Sequence, residues 1–157
     1  MSPISEFLFS EYIVILLNNY YKMVFITRRE HFSSSHKLDN PNFSPEKNLE
    51  IFGKCNNFHG HNYYIEVTLT GEPDKESGYL MDLKVLKKIL LEEIVDKVDH
   101  QFLNEVEMFK GIIPTTEHMT EIFWGILKPR IESESPIAKL YSIKLYETEK
   151  NWVEYRG

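Results

Sequence analysis

Three residues in one short stretch carry the side chains best suited to chemistry: Cys55, His59 and His61, within Gly53-Lys54-Cys55-Asn56-Asn57-Phe58-His59-Gly60-His61-Asn62-Tyr63. A thiol and two imidazoles this close supply either a metal site or a nucleophile–base pair. His59 and His61 are two apart, so on a strand both imidazoles project from one face and both can reach one ion. His36 and His31 compete to be a third ligand. They lie an odd number of residues apart, so a regular strand turns them to opposite faces, and the parity that His36 shares with Phe32 and Ile26 favours His36. Three histidines with an open fourth position are the pattern of a catalytic zinc site rather than a closed structural one.

Cys55 has three readings: a fourth metal ligand, a small hydrophobic filler, or an active thiol. Its neighbours Lys54 and Asn56-Asn57 do not form an apolar run, which weakens the filler reading. Asp99-His100 is either a histidine seated at a helix C-terminus beside a solvated carboxylate, or a carboxylate–imidazole pair able to polarise a thiol. Glu147 falls on the apolar face of its strand. A buried, unpaired carboxylate costs several kcal/mol, so Glu147 requires a cation or a ligand as partner. Glu117 is accounted for by the first turn of a helix, where acids are stabilising.

The elements that must position these groups follow from periodicity. Val24 to Ser35 reads as a strand, and Asp39 to Lys47, with two prolines and two asparagines, as a loop. From His59 to Leu69 the apolar and aromatic side chains alternate, with His59, His61, Tyr63, Ile65, Val67 and Leu69 on one face. Asp82 caps a helix to about Val98, with Leu86, Ile89, Leu90, Ile94 and Val98 as its buried stripe. A second helix starts at Thr115 or Thr116 and ends at Pro129. Leu140 to Thr148 alternates again, with Tyr141, Ile143, Leu145 and Glu147 on one face, and a short strand around Trp152 to Tyr155 closes the chain. The order is ββααββ, which predicts an α+β domain: an antiparallel sheet with helices on one face.

A chain of 157 residues is one domain with room for a core, and its 42% hydrophobic and 27% charged residues are ordinary globular values. The net charge of −6 argues against a nucleic-acid partner bound through a broad basic surface. One cysteine forms no intrachain disulfide, consistent with a reducing compartment such as the cytoplasm. Residues 1–22 are read as an N-terminal extension, non-native or disordered, and residues 23–157 as the single domain. The apolar run Phe7 to Leu17 is interrupted by Glu11 and falls short of the roughly 20 residues that span a bilayer, so no membrane partner is expected.

Taken together, Ser35-His36-Lys37-Leu38, Phe52-Gly53-Lys54-Cys55, His59-Gly60-His61-Asn62-Tyr63, Asp99-His100 followed by Leu103-Asn104, Pro114-Thr115-Thr116-Glu117, Tyr146-Glu147-Thr148 and Tyr155-Arg156-Gly157 resemble the 6-pyruvoyl-tetrahydropterin synthase family, which includes the 6-carboxy-tetrahydropterin synthases. The resemblance spans residues 23–157. It implies the tunnelling fold (T-fold), a four-stranded antiparallel sheet with two helices on one face. It further implies trimers whose sheets form a barrel, stacked in pairs as a homo-hexamer, with active sites between subunits. By matching positions it implies Zn²⁺ held by His36, His59 and His61, Cys55 as catalytic base with Asp99 and His100 as its relay, Glu147 anchoring the pterin ring, and Thr115, Thr116 and Glu117 lining the pterin pocket. The implied substrate is 7,8-dihydroneopterin triphosphate, which loses triphosphate. Three residues separate Cys55 from His59, a spacing that resembles the carboxy-forming enzymes, and on it the expected product is 6-carboxy-5,6,7,8-tetrahydropterin. The 6-pyruvoyl product of tetrahydrobiopterin synthesis is the alternative, favoured by Phe52 to Asn57. A non-catalytic, zinc-containing pterin-binding protein is the alternative from another class, and the joint presence of Cys55, Asp99 and His100 speaks against it.

Overall fold

A computed structural model describes residues 23–157; the extension expected over residues 1–22 lies outside the described residues. Four strands form one antiparallel sheet in the order β1-β2-β3-β4: β1 (Val24–His36), β2 (His59–Gly71), β3 (Lys139–Tyr146) and β4 (Trp152–Tyr155). The helix-facing side carries Phe32 from β1, Tyr63, Ile65, Val67 and Leu69 from β2, and Leu140, Ile143 and Leu145 from β3, all buried. Two helices cover that side, so the α+β tunnelling fold expected above is the fold observed.

The first of these helices, Leu83–Leu90, is capped by Asp82, whose Oδ1 accepts the Lys84 N–H at 2.8 Å. It runs through a π-helical turn, Leu91–Val95, into a last turn, Asp96–Val98. Leu86, Ile89, Leu90, Ile94 and Val98 are each buried, as the periodicity predicts. The second, Thr116–Glu134, buries Met119, Phe123, Trp124, Leu127 and Ile131. Each such side chain contributes about 1.5–3 kcal/mol by leaving water.

Three local expectations are corrected. Pro129 does not end its helix, which continues to Glu134. A proline ring crowds the carbonyl four residues earlier, and that residue is Gly125. Both positions face solvent, and nothing lies within 4 Å of where a Gly125 side chain would sit, so the backbone yields there and Ile131 still reaches the core. Second, the loop expected over Asp39 to Lys47 holds only as far as Ser44, where a helix, Pro45–Phe52, takes over, so we number the helices α1 (Pro45–Phe52), α2 (Leu83–Val98) and α3 (Thr116–Glu134). Ser44 accepts the Lys47 N–H at 3.3 Å and Pro45 takes the first helical position, where its missing N–H costs nothing. Third, Tyr141 leaves the face of Ile143 and Leu145. The β2–β3 register shifts between Thr68 and Leu69, so Leu140 pairs with Leu69 and takes the core position, while Tyr141 packs edge-on against Phe25 on the opposite face, ring centroids 4.7 Å apart.

Candidate metal centre and adjoining cavity

The β1–β2 register sets the histidine cluster. His36 pairs with His59 and Ser34 with His61, and cross-strand partners share a face, so His36, His59 and His61 converge. Their ligand atoms all lie within 4.8 Å of one another. His31 pairs with Tyr64 on the opposite face and lies outside the cluster, which His36 joins.

Hydrogen bonds fix which nitrogen of each ring faces the cluster. His36 Nδ1 lies 2.9 Å from the Pro114 carbonyl and His59 Nδ1 lies 2.7 Å from the Asn57 carbonyl. A carbonyl only accepts, so each Nδ1 carries the proton and each Nε2 presents a lone pair. This is the outer-shell arrangement that orients histidine ligands in metal sites. His61 Nε2 is buried and has no hydrogen-bond partner, a loss that a bound cation would make good. Burial is the main reason that the His36 and His61 pKa values fall below the ordinary histidine value; the neighbouring histidines lower them further, while Glu147 opposes the shift. The neutral imidazole so favoured is the form that binds a metal. The three histidines are therefore positioned to hold a metal ion, on the evidence of their convergence and of the unpartnered nitrogen. Tyr63, fully buried beneath them, has its hydroxyl 3.4 Å from His36 Nε2, and burial pushes its pKa well above the usual phenol value.

A cavity of about 400 Å³ opens beside the cluster, lined by His36, Cys55, Thr115, Thr116, Glu117 and Glu147 among others. Cys55 sits on a 3₁₀ turn, Gly53–Asn56, and is exposed. The turn is tied to the end of β1: the Leu38 N–H donates to the Cys55 carbonyl at 2.8 Å, and the Asn56 amide donates to the Leu38 carbonyl at 2.8 Å. Asn104 holds Lys37 from the other side, accepting its N–H at 3.0 Å and donating to its carbonyl at 2.9 Å. Thr115 caps α3 by accepting the His118 N–H at 3.3 Å. The buried Thr116 hydroxyl donates to Glu147 Oε1 at 3.4 Å, and that oxygen lies 3.5 Å from His61 Nε2 and 3.6 Å from His36 Nε2. Glu147 stands one residue beyond β3 rather than within it, and its backbone N–H donates to the Asn151 carbonyl at 3.1 Å. Asn151, Trp152 and Val153 complete the wall and were not legible as site residues. Their only sequence signal is Trp152, an aromatic opening a strand directly after a turn.

Asp99 and His100 are brought together with each other, and not with Cys55. Asp99 Oδ1 accepts the Ser33 N–H at 2.8 Å and its Oδ2 lies 2.8 Å from His100 Nδ1. The His100 N–H donates to the Ser33 carbonyl at 2.6 Å. This clamp on the edge of β1 holds His100 at φ 57°, the one non-glycine residue with positive φ among those described. The Ser33 N–H, first, and His100 beside it hold the Asp99 carboxyl below the usual aspartate pKa. The His100 side chain is 81% exposed, and it lines a separate cavity with Ser33, His61 and Asn62 that shares no residue with the Cys55 cavity.

Residues 25–157 match the family described as 6-pyruvoyl tetrahydropterin synthase. The chain belongs to that family. A 6-pyruvoyl tetrahydrobiopterin synthase from Dictyostelium discoideum is 44% identical over 137 residues, covering 87% of this chain and 98% of the relative. The solved Caenorhabditis elegans 6-pyruvoyl tetrahydropterin synthase superposes with a TM-score of 0.76 at 38% identity, covering 86% of this chain and 96% of that one. Relatives named for the 6-carboxy product are less similar. The Aquifex aeolicus 6-carboxy-5,6,7,8-tetrahydropterin synthase is 26% identical over 157 residues, covering 83% of this chain and 96% of the relative, and one from Archaeoglobus fulgidus is 34% identical over 116 residues. Members of this 6-pyruvoyl tetrahydropterin synthase family are lyase-type enzymes acting on small molecules. No helix among the described residues is long and apolar enough to cross a membrane.

Proposed function

We propose that the chain is a zinc-dependent pterin synthase that converts 7,8-dihydroneopterin triphosphate to 6-pyruvoyl-tetrahydropterin with loss of triphosphate. The observation that carries this reading is the three-histidine cluster, whose member His36 lines a cavity with Cys55, Thr116 and Glu147. The product preference reverses the expectation drawn from the Cys55–His59 spacing. Relatives at 38% and 44% identity carry the pyruvoyl name, against 26% and 34% for the carboxy name, and similarity over most of the chain outweighs one loop length. The carboxy-forming reaction stays as second reading on the strength of that spacing alone.

His36, His59 and His61 would hold zinc through Nε2. Bound there, zinc supplies Lewis-acid polarisation of the substrate's side-chain hydroxyls, which makes the adjoining carbon-bound protons more acidic. Glu147 anchors the pterin by pairing its two carboxylate oxygens with the two N–H groups of the ring's guanidine-like edge, a bidentate match. Thr115, Thr116 and Glu117 close the pocket around the ring, and 400 Å³ suits a bicyclic heterocycle. Cys55, as base, takes a proton from the side chain and returns one to the ring. The hydroxymethine next to the ring gives up two hydrogens, one from carbon and one from oxygen, and becomes a ketone while the ring imine gains two. Loss of the proton on the next carbon expels triphosphate from the terminal carbon, and the enol so formed takes a proton there to become a methyl ketone, so no external oxidant is needed.

Asp99 orients the His100 ring, and the pair serves as relay for the thiol. Because Cys55 and His100 line separate cavities of one chain, the relay is supplied by a neighbouring copy, in a homo-hexamer of two stacked trimers. The strands β1 and β4 at the two edges of the sheet support that assembly, because each leaves backbone groups for a neighbour to pair with. A cytoplasmic setting belongs to the same proposal, in keeping with the single cysteine. Incubation with dihydroneopterin triphosphate followed by mass spectrometry tests it: a 6-pyruvoyl product supports the proposal, a 6-carboxy product selects the second reading, and unchanged substrate removes both.

A further inference from the structure

Glu147 is placed for more than the pterin. Its Oε1 lies 3.5 Å from His61 Nε2 and 3.6 Å from His36 Nε2, while the Thr116 hydroxyl donates to the same oxygen at 3.4 Å. His36 Nε2 carries a lone pair, since its Nδ1 proton is committed to the Pro114 carbonyl. A carboxylate oxygen and an imidazole lone pair held this close in a largely buried site repel each other unless positive charge lies between them. His61 Nε2, buried and without a hydrogen-bond partner, faces the same point. Two donors bound to one tetrahedral zinc at about 2.0–2.1 Å stand about 3.3–3.4 Å apart, close to both separations here.

We infer that, before substrate arrives, Glu147 Oε1 is the fourth donor to the metal held by His36, His59 and His61, and that pterin binding draws it away. The inference rests on the metal-binding reading above. It assigns the one carboxylate two competing tasks. While it closes the metal's shell, the fourth position is shut. When the pterin's guanidine-like edge engages the carboxylate, Oε1 leaves, and the position opens as the substrate's side-chain hydroxyl reaches it. The Thr116 hydroxyl steadies the closed arrangement in the manner of an outer-shell hydrogen bond to a ligating carboxylate. Glu147 stands just past the end of β3, on the turn that leads to β4, so its side chain can shift without unfolding the sheet.

The experiment uses the full chain loaded with Co²⁺, which reports its donor set in the visible spectrum. Affinity is measured by competition with a chelating dye, on wild type, Glu147→Ala, Glu147→Gln and His59→Ala, with far-ultraviolet circular dichroism to establish that each is folded. The expected result is one Co²⁺ per wild-type chain, at least a tenfold loss of affinity with an altered spectrum in both Glu147 variants, and near-complete loss in His59→Ala. Unsubstituted pterin, which has no side chain to bind metal, should weaken Co²⁺ binding to wild type and leave the Glu147→Ala affinity unchanged. Wild-type affinity and spectrum in the Glu147 variants would overturn the fourth-donor role while His59→Ala still upheld the metal site. Wild-type protein that binds no Co²⁺, or His59→Ala that binds as wild type, would overturn the metal reading itself. Pterin that leaves wild-type Co²⁺ affinity unchanged would overturn the competition.

Discussion

At the residue scale the division of labour between thiol and imidazoles gives sharp expectations. Cys55→Ala should keep its metal and lose turnover by about 10²–10⁴-fold, the range of a missing general base; metal content and steady-state rate measured on one preparation check both halves, and normal turnover would end the case for thiol chemistry. His36→Ala should lose most bound zinc, because two histidines cannot hold what three do; full occupancy would remove His36 from the ligand set. The His36 and His61 pKa values are lowered in the folded chain, chiefly by burial. The sign follows from linkage. Below the ordinary histidine value of about 6.5 the unfolded chain takes up protons that these two groups refuse when folded, so the metal-free protein loses stability as pH falls through that value. Asp99 acts in the same sense at lower pH: its carboxyl is depressed, so its contribution is present above the usual carboxylate range and lost as pH falls below it. Urea midpoints of metal-free protein between pH 8 and 5 should decline toward pH 5; a flat or rising series would contradict the assignment. Strand parity alone selected the His-x-His pair and favoured His36 over His31. Parity could not supply the register that faces His36 with His59, nor the Pro114 and Asn57 carbonyls that set the tautomers, because these depend on chain segments far apart in sequence.

At the scale of elements, alternation and 3.6-residue periodicity were legible wherever apolar side chains marked a buried face. They failed where none did. The one buried residue of α1 is Asn48, whose amide is spent on both backbone groups of Asn40, while Leu49 and Ile51 are exposed. No apolar stripe announces that helix; its trace is the capping run Ser44-Pro45-Glu46, which outweighs the loop-forming residues before it. Pro129 misled for the converse reason, a local stop signal overridden by the core contact of Ile131 and by the tolerance of Gly125. Pro129→Ala restores a donor to the exposed Gly125 carbonyl and should stabilise the protein by about 1–3 kcal/mol in urea unfolding; a loss of stability would show that the proline is required. Gly71→Ala should do the reverse. An added Cβ overlaps the Ile137 carbonyl oxygen and the Leu80 side chain, so β2 must shift, at a cost of about 1–3 kcal/mol.

At the scale of the whole molecule, Cys55 lines one cavity with His36 and Glu147, while His100 lines another with His61. A relay drawn from a neighbouring copy predicts complementation. Cys55→Ala and His100→Ala should each be inactive alone, and mixed oligomers refolded from both should regain a fraction of wild-type rate; no recovery would place the pair outside the thiol's chemistry. The family was legible in the sequence because its motifs span the chain, whereas for the product one loop length points to the carboxy reaction and similarity over most of the chain favours the pyruvoyl one. Triphosphate and acetaldehyde released from dihydroneopterin triphosphate, measured in one incubation, test the central claim most directly. Triphosphate in step with substrate loss and no acetaldehyde is the predicted result; acetaldehyde in equal amount, or no triphosphate at all, would contradict it.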